Sequence, residues 1–171
     1  WKGQHLLIEA LSKVKNQNYY CIIAGDEQGR EEYVKELKGL IAKYGLENRV
    51  AIFGKVLDMP ALMMVSNVIL STAIEPEAFG RIAIEGQAMG KIVVASNHGG
   101  IDGKTGRLFY NNNAASLAEA IDWALSLSEG EEEKIAKAAV KNVKDNFTKE
   151  IMCAKTIKVY EELMASDKPN D

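Results

Sequence analysis

The sequence predicts a doubly wound α/β domain with a Rossmann-like, mostly parallel sheet. Two observations predict it. Amphipathic helical patterns alternate along the chain with short, continuously apolar runs, and glycine-rich or polar segments follow those runs. Such alternation is typical of a parallel sheet covered by helices on both faces. Sheets of this kind bind ligands at the carboxyl ends of their strands, so the loops after the strands are the expected place of function.

The first half of the chain alternates helix and strand. Apolar residues recur at three- and four-residue steps in residues 3–15, which predicts an amphipathic helix. An acidic first turn and a following Gly45 predict a second helix over residues 30–45, and Pro60 opens a short third one over residues 59–66. Three apolar runs predict strands at residues 19–26, 49–54 and 67–72, of which the first and the last are expected to be buried.

The second half continues the pattern and ends in helices. Residues 80–89 are predicted as a helix, and the apolar run of residues 91–96 as a buried strand. A glycine-rich connection, residues 97–106, leads to a short strand. Three further helices are predicted at residues 115–128, 131–146 and 149–165.

Composition limits the classes of function. With 171 residues, 47% of them hydrophobic, the chain fits one globular domain over residues 1–171. Its net charge of -3, with scattered basic residues, predicts neither nucleic-acid binding nor an anionic membrane partner. Cys21 and Cys153 form no CxxC pattern, and no apolar run reaches about 18 residues, so we expect a soluble, cytoplasmic chain. His5 and His98 belong to no ligand cluster, and no metal site is expected.

The stretch "EPEAFGRIAIEGQAMG" places Glu77 and Glu85 around the start of a predicted helix. Glu85 is expected to share a helix face with apolar residues such as Ile82 and Met89. A carboxylate in such surroundings needs a partner, and a vicinal diol such as a ribose offers two hydroxyl donors to its two oxygens. The alternative is a helix carboxylate paired with a surface lysine.

The same helix start is a candidate anion site. Free amide groups of Phe79, Gly80 and Arg81 would face the loop that follows a strand. Gly80 would let a phosphate or sugar come close to the backbone, and the helix dipole favours negative charge there. Gly99 and Gly100 follow another buried strand, where they either mark a turn or contact a sugar or phosphate.

These motifs carry a resemblance to a known family. The segment "EPEAFGRIAIEGQAMGKIVVASNHGG", followed by "DGKTGRLF", resembles the nucleotide-binding, C-terminal half of retaining glycosyltransferases of the two-domain GT-B fold. The family is glycosyltransferase family 4, also called group 1, which includes many bacterial polysaccharide and lipopolysaccharide sugar transferases. "WKGQHLLIEAL" and "RVAIFGKVLDMPALMMVSNVILST" fall in the same order, so the resemblance covers roughly residues 1–127.

The resemblance implies roles for individual residues. The glutamate matching Glu77 contacts donor-sugar hydroxyls, and the one matching Glu85 binds the ribose. Lys2, of the "KG" pair, neutralises the diphosphate, which the amides of the stretch from Phe79 to Ile82 receive. Lys55 and Val56 match the region that flanks the base. Glu77 and Lys2 are thus the implied catalytic residues.

The implied reaction is transfer of a hexosyl group from a nucleotide-diphosphate sugar, with retention at the anomeric carbon. The implied acceptor is a glycan or lipid-linked molecule of cell-envelope or polysaccharide biosynthesis. The resemblance implies no metal and no other cofactor. It also allows peripheral membrane contact through the family's amino-terminal, acceptor-binding domain.

The sequence departs from the family pattern in two places. The residues given include no arginine before Lys2, and the connection between "GG" and "DGKTG" is short. We also expect the chain to be a fragment that lacks the family's acceptor-binding domain and the first strand of the donor-binding domain. We therefore expect the isolated chain to bind donor weakly and to transfer little sugar. A nucleotide-sugar epimerase, a phosphorylase and a non-catalytic nucleotide-binding α/β module are the alternatives.

Overall fold

The computed structural model describes residues 1–76, 80–97 and 105–166. In that part of the chain, five strands and seven helices follow one another in the predicted order. The strands are β1 (Cys21–Ala24), β2 (Val50–Phe53), β3 (Val68–Ser71), β4 (Ile92–Ser96) and β5 (Arg107–Phe109). The helices are α1 (Gln4–Leu11), α2 (Glu31–Lys43), α3 (Met59–Val65), α4 (Arg81–Ala88), α5 (Ala114–Leu125), α6 (Glu129–Asn146) and α7 (Lys149–Ser166). Among these described residues, no helix is both long and apolar enough to cross a lipid bilayer.

Every strand pairing is parallel, as predicted, but the strands form two sheets. β1 pairs with β2, and β4 lies between β3 and β5. The register sets Ile69 opposite Val93 and Ala95 opposite Leu108. The carboxyl ends of β3 and β4 therefore lie side by side, and the loops that follow them start at the same edge of the sheet.

Helices cover both faces of the larger sheet, which is the doubly wound arrangement. All five residues of β4 are buried. Ile92 and Val94 belong to the larger apolar cluster, together with residues of α1 and α5. Val93 and Ala95 point to the opposite face and pack with residues of α3 and α4. The alternation along one strand thus divides the core into two layers.

Residues 19–26 contain the predicted strand, but the prediction that this strand is buried is wrong. No residue of β1 is fully buried, and Ile22 is 36% exposed. The reason is that β1 pairs along one edge only, with β2. Cys21 and Ile23 nevertheless pack against the same apolar cluster as Val68 and Leu70 of β3. The two sheets therefore share one core.

Helix α4 packs very close to the larger sheet because it contains Gly86. A Cβ atom at this position would lie 3.1 Å from Cγ2 of Val93 and 3.2 Å from Cβ of Ile69. Such distances leave no room for a larger residue unless the helix or the strands move. Gly86 thus sets the distance of α4 from β3 and β4.

Candidate functional site

The chain before α1 is tied to the segment that follows β3. The backbone N–H of Ile74 donates a 2.9 Å hydrogen bond to the carbonyl of Trp1. The Thr72 hydroxyl, which is almost fully buried, donates a 2.9 Å hydrogen bond to the carbonyl of Lys2. These two bonds hold the main chain of Lys2 at the carboxyl end of β3. Lys2 is thereby placed beside the loop that leads to the predicted catalytic Glu77.

Gly3 makes this approach possible. Its φ is 73°, in the left-handed region that favours glycine. A Cβ atom on Gly3 would lie 2.0 Å from the carbonyl oxygen of Thr72, far inside van der Waals contact. This approach explains why a glycine follows the lysine in the "KG" pair. Glycine lets the backbone pass close to the end of β3, and the main chain of the neighbouring Lys2 is held there by Thr72.

The side chain of Lys2 carries its charge at the surface. Lys2 is exposed, and its Nζ lies 4.0 Å from the centroid of the Trp1 ring, a cation–π geometry. The segment from Thr72 to Pro76 runs from buried to exposed beside it. This edge can present a cation to an anionic ligand. The sequence did not predict that Thr72 and Ile74 would hold Lys2 and Trp1. The signal that the sequence offered was a hydroxyl residue directly after an apolar run.

Helix α4 starts at Arg81, five residues after Pro76. Gly80, at its N-cap, is buried and adopts φ 69° and ψ 46°, and no side chain caps the helix. The first amide groups of an α-helix have no partner inside it, and they form its positive end. Those of Arg81 and Ile82, both exposed residues, lie at this start. The predicted anion site thus has the expected local geometry, while its ligand remains a prediction.

The prediction that Glu85 is buried among apolar residues is wrong. The Glu85 side chain is 47% exposed, and its Oε1 accepts a 3.2 Å charged hydrogen bond from Nη2 of Arg81, one turn earlier in α4. Ile82, expected on the same buried face, is 38% exposed, and Ala88 is exposed as well. The structure thus shows the alternative form, a paired helix carboxylate, with arginine in place of lysine.

The buried stripe of α4 lies on the other side of the helix. It consists of Ala83, Ile84, Gly86 and Gln87. Apolar periodicity did not identify this buried face, because two of its residues, Gly86 and Gln87, are not apolar. A glutamine seven residues from Gly80 and four from Ala83 was the signal that could have identified it. Glu85 consequently faces solvent.

The other predicted site residues are only partly placed. Lys55 is exposed and Val56 half-buried, in the loop between β2 and α3. Neither Lys55 nor Val56 takes part in the hydrogen bonds that hold Lys2 at the end of β3 or in the ion pair between Arg81 and Glu85. Four predicted residues lie outside the described part of the chain: Glu77, Phe79, Gly99 and Gly100.

The described residues contain no group of three or more histidine, cysteine, aspartate or glutamate side chains close enough to hold a metal ion. Both cysteines are free. Burial raises the pKa of the Cys21 thiol to about 12, so it is protonated at neutral pH and unsuited to nucleophilic chemistry. Cys153 is exposed on α7.

Comparison with known proteins connects this geometry to a family. The sequence profile of the family described as "Glycosyl transferases group 1" matches residues 1–142. The chain is 32% identical over 171 residues to the uncharacterized glycosyltransferase MJ1178 of Methanocaldococcus jannaschii, covering 95% of this chain and 45% of that protein.

Two solved structures share the fold at appreciable identity. A glycosyltransferase of Rickettsia africae is 41% identical, with a TM-score of 0.89 over 96% of this chain and 45% of its own. Anabaena Alr3699/HepE in complex with UDP-glucose is 32% identical, with a TM-score of 0.83 over 96% of this chain and 46% of its own. The chain therefore spans less than half the length of these relatives.

Proposed function

The chain belongs to the group 1 glycosyltransferase family, and on that premise we propose that it is the nucleotide-sugar-binding domain of a retaining, hexosyl-transferring enzyme. Its fold is that of the Rossmann-like half of GT-B glycosyltransferases. In this proposal the donor is a nucleotide-diphosphate sugar, as in the Anabaena relative solved with UDP-glucose. The acceptor, a glycan or lipid-linked molecule, is chosen by residues outside this chain. The family match favours transfer over the epimerase and the non-catalytic alternatives.

One observation carries the proposal: hydrogen bonds from Thr72 and Ile74 hold the main chain of Lys2 and Trp1 at the carboxyl end of β3, the strand that precedes α4. An ammonium group and a helix start on one edge form a site with two positive elements. A diphosphate with its negative charges suits such a site. The same elements would stabilise that charge further as the diphosphate leaves the sugar.

Glu85 fits the role of ribose ligand despite its exposure. An exposed ion pair contributes only about 0–1 kcal/mol, so replacing Arg81 with ligand hydroxyls costs little. The released guanidinium would remain at the start of α4, where it can approach the diphosphate. Glu77 would accept hydrogen bonds from the donor sugar, and Gly99 and Gly100 would line it. Lys55 and Val56 would flank the base.

The proposed reaction exchanges one bond at the anomeric carbon for another. The bond from that carbon to the diphosphate oxygen breaks, and the acceptor oxygen bonds to the same face of the sugar. The acceptor proton ends on the departing diphosphate. The protein contributes electrostatic stabilisation and positioning, and the proposal includes no metal and no cofactor. It places the reaction in the cytoplasm or at the cytoplasmic membrane surface, in polysaccharide or envelope synthesis.

Calorimetric and thermal-shift titration of the chain with UDP, GDP, ADP and their glucose conjugates tests the proposal. We expect one nucleotide series to raise the midpoint of unfolding with ligand concentration. Glu85→Ala should lower the affinity for the nucleotides of that series by about tenfold or more, because a hydrogen bond to a charged group is lost. Lys2→Ala should lower the affinity for the nucleoside diphosphate and leave the affinity for the monophosphate nearly unchanged.

Glu9 and Lys13 of α1 provide matched controls. They form an exposed pair of the same i, i+4 spacing, at 3.4 Å, and each side chain is 45% exposed. Glu9→Ala and Lys13→Ala should leave every affinity unchanged. If no nucleotide series stabilises the wild-type chain at millimolar concentration, the proposal is wrong. Rapid sugar transfer by the chain alone would contradict the expectation that the remaining part of the enzyme is needed.

A further inference from the structure

The aromatic ring of Trp1 lies against the ammonium group of Lys2. The Nζ atom of Lys2 is 4.0 Å from the centroid of the ring, well within the range of a cation–π interaction. Trp1 is 56% exposed, and Lys2 is exposed as well. Trp1 belongs to neither of the two apolar clusters of the described core. Its ring therefore packs on the cation and not in the core.

The main chain of both residues is fixed at the carboxyl end of β3. The carbonyl of Trp1 accepts a 2.9 Å hydrogen bond from the N–H of Ile74, and the carbonyl of Lys2 accepts one of 2.9 Å from the Thr72 hydroxyl. The backbone thus determines where each side chain begins. A lysine side chain has many rotamers, so the ring of Trp1 helps to determine where the ammonium group lies.

A lysine that is ordered before the ligand arrives binds a phosphate better than one that rotates freely. Fixing the ammonium group against a ligand costs rotamer entropy, and order that is already present reduces this cost. The ring covers one side of the ammonium group. The N–H groups on its open side can still donate to phosphate oxygens, so the contact with the ring is compatible with a contact to an anion.

We propose that Trp1 is a positioning residue for the diphosphate of the donor, because its ring holds the Lys2 ammonium group at the carboxyl end of β3 before the nucleotide sugar binds. The inference rests on the function proposed above, in which Lys2 neutralises the diphosphate. Trp1 acts through Lys2 and does not touch the phosphates. Its effect should therefore appear with nucleoside diphosphates and not with monophosphates.

Calorimetric titration of variants with UDP and UMP tests the inference, or with the guanosine or adenosine pair if the first titration selects that base. Trp1→Leu should lower the ratio of UDP affinity to UMP affinity by about two- to fivefold, the range of an exposed cation–π contact. Trp1→Phe keeps an aromatic face and should restore part of the ratio. In a Lys2→Ala background, Trp1→Leu should lower the ratio no further, because the ring acts through that ammonium group.

Tyr44 provides a matched control. Nζ of Lys43 lies 5.3 Å from the centroid of the Tyr44 ring, so these neighbours also form a cation–aromatic pair. They lie at the end of α2, which leads from the carboxyl end of β1 to the amino end of β2. The pair is therefore at the edge opposite to the one that Lys2 approaches. Tyr44→Leu should lower the unfolding midpoint, because Tyr44 packs against the apolar core, and leave the ratio unchanged.

Tryptophan fluorescence reports on the contact directly. The chain has two tryptophans, so Trp123→Phe leaves Trp1 as the reporter. Trp123 lies near the end of α5, and its ring centroid is 5.5 Å from Cζ of Arg107, which begins β5 at the opposite edge. With excitation at wavelengths that nucleotides do not absorb, saturating UDP should change the Trp1 emission, because a phosphate neutralises the charge that lies on the ring. Saturating UMP should change it much less.

The outcomes separate this inference from the proposed function. A lower ratio in Trp1→Leu, with partial recovery in Trp1→Phe and no change in Tyr44→Leu, supports the inference. An unchanged ratio in Trp1→Leu overturns it, and so does a raised ratio, which would mean that the ring draws the ammonium group away from the ligand. A Trp1 emission that saturating UDP leaves unchanged overturns it as well. If Lys2→Ala still lowers the ratio, the proposed function survives each of these results. Failure of the wild-type chain to bind any nucleotide of the three series overturns both.

Discussion

Gly3 is the residue on which the position of Lys2 depends most directly. Replacing it with alanine would place a methyl group 2.0 Å from the Thr72 carbonyl oxygen and force a side chain into φ 73°. We expect Gly3→Ala to lower the free energy of unfolding by about 2–4 kcal/mol, the combined cost of backbone strain and a steric clash. Chemical denaturation measures this loss, and nucleotide titration should show weaker diphosphate binding below the unfolding midpoint.

Gly39 is the matched control for that change. It lies inside α2 with an ordinary helical backbone, and a Cβ there would meet no atom within 4 Å. Gly39→Ala should stabilise the chain by about 0.5–1 kcal/mol, because alanine favours the helix interior. A Gly3→Ala variant as stable as the wild type would show that the chain before α1 does not pass the end of β3 as described.

At the scale of elements, α6 is joined to α4 by Asn142, whose Nδ2 donates a hydrogen bond to Oε1 of Gln87. Its start is fixed by a capping box. The Ser128 N–H donates a 2.9 Å hydrogen bond to Oε2 of Glu131, and the Ser128 hydroxyl donates one of 2.6 Å. These bonds from Ser128 lower the pKa of the Glu131 carboxyl below its ordinary value. The start of α6 is therefore sensitive to pH.

Ser128→Ala tests this element. The capping contribution of Glu131 is present above the ordinary pKa of a glutamate, because there the carboxylate is charged in folded and unfolded chain alike. It is lost as the pH falls through the lowered pKa of the folded state. At pH 7 we expect Ser128→Ala to lower the unfolding midpoint by about 2–4 °C. The difference from wild type should shrink toward pH 3.

Scanning calorimetry of both proteins between pH 7 and pH 3 measures that difference. Carboxyl groups elsewhere titrate alike in the two chains, so their contributions cancel. A difference that grows toward acid pH would contradict the assigned role of Glu131. Hydrogen exchange should place the loss of protection in the first turn of α6, with the ends of α5 unaffected.

At the scale of the whole molecule, local pattern was enough to predict the order of every described helix and strand. Apolar periodicity is a property of neighbouring residues, and it identified both the helices and the buried β4. The division into two sheets could not be predicted this way, because it depends on which strand edges pair. The half-burial of β1 is the visible result.

The candidate site shows the same limit. Gly80, Arg81 and Glu85 fall on the predicted helix, yet the buried face was assigned to the wrong side. That choice depends on where α4 meets β3 and β4, through Gly86. The hydrogen bond between Thr72 and Lys2 joins residues 70 positions apart and leaves no trace in a local pattern. Contacts between residues so far apart in the sequence can be identified only once the fold is known.

Helix α7 contributes little to the folded state of this chain, and its removal tests how far the core extends. Ile151 is half-buried, and residues 152–165 are exposed. Most helical stability in proteins comes from packing, and α7 buries very little of its surface on the described domain. Ending the chain after Thr148 should therefore shift the unfolding midpoint by less than about 2 °C, while circular dichroism loses helical signal. Ending it after Leu127 instead removes α6, with its fully buried Ala139 and the Asn142 bond to Gln87, and should prevent cooperative unfolding. A drop of more than about 5 °C on removal of α7 alone would contradict the described exposure, since it would mean that α7 packs on the domain in solution.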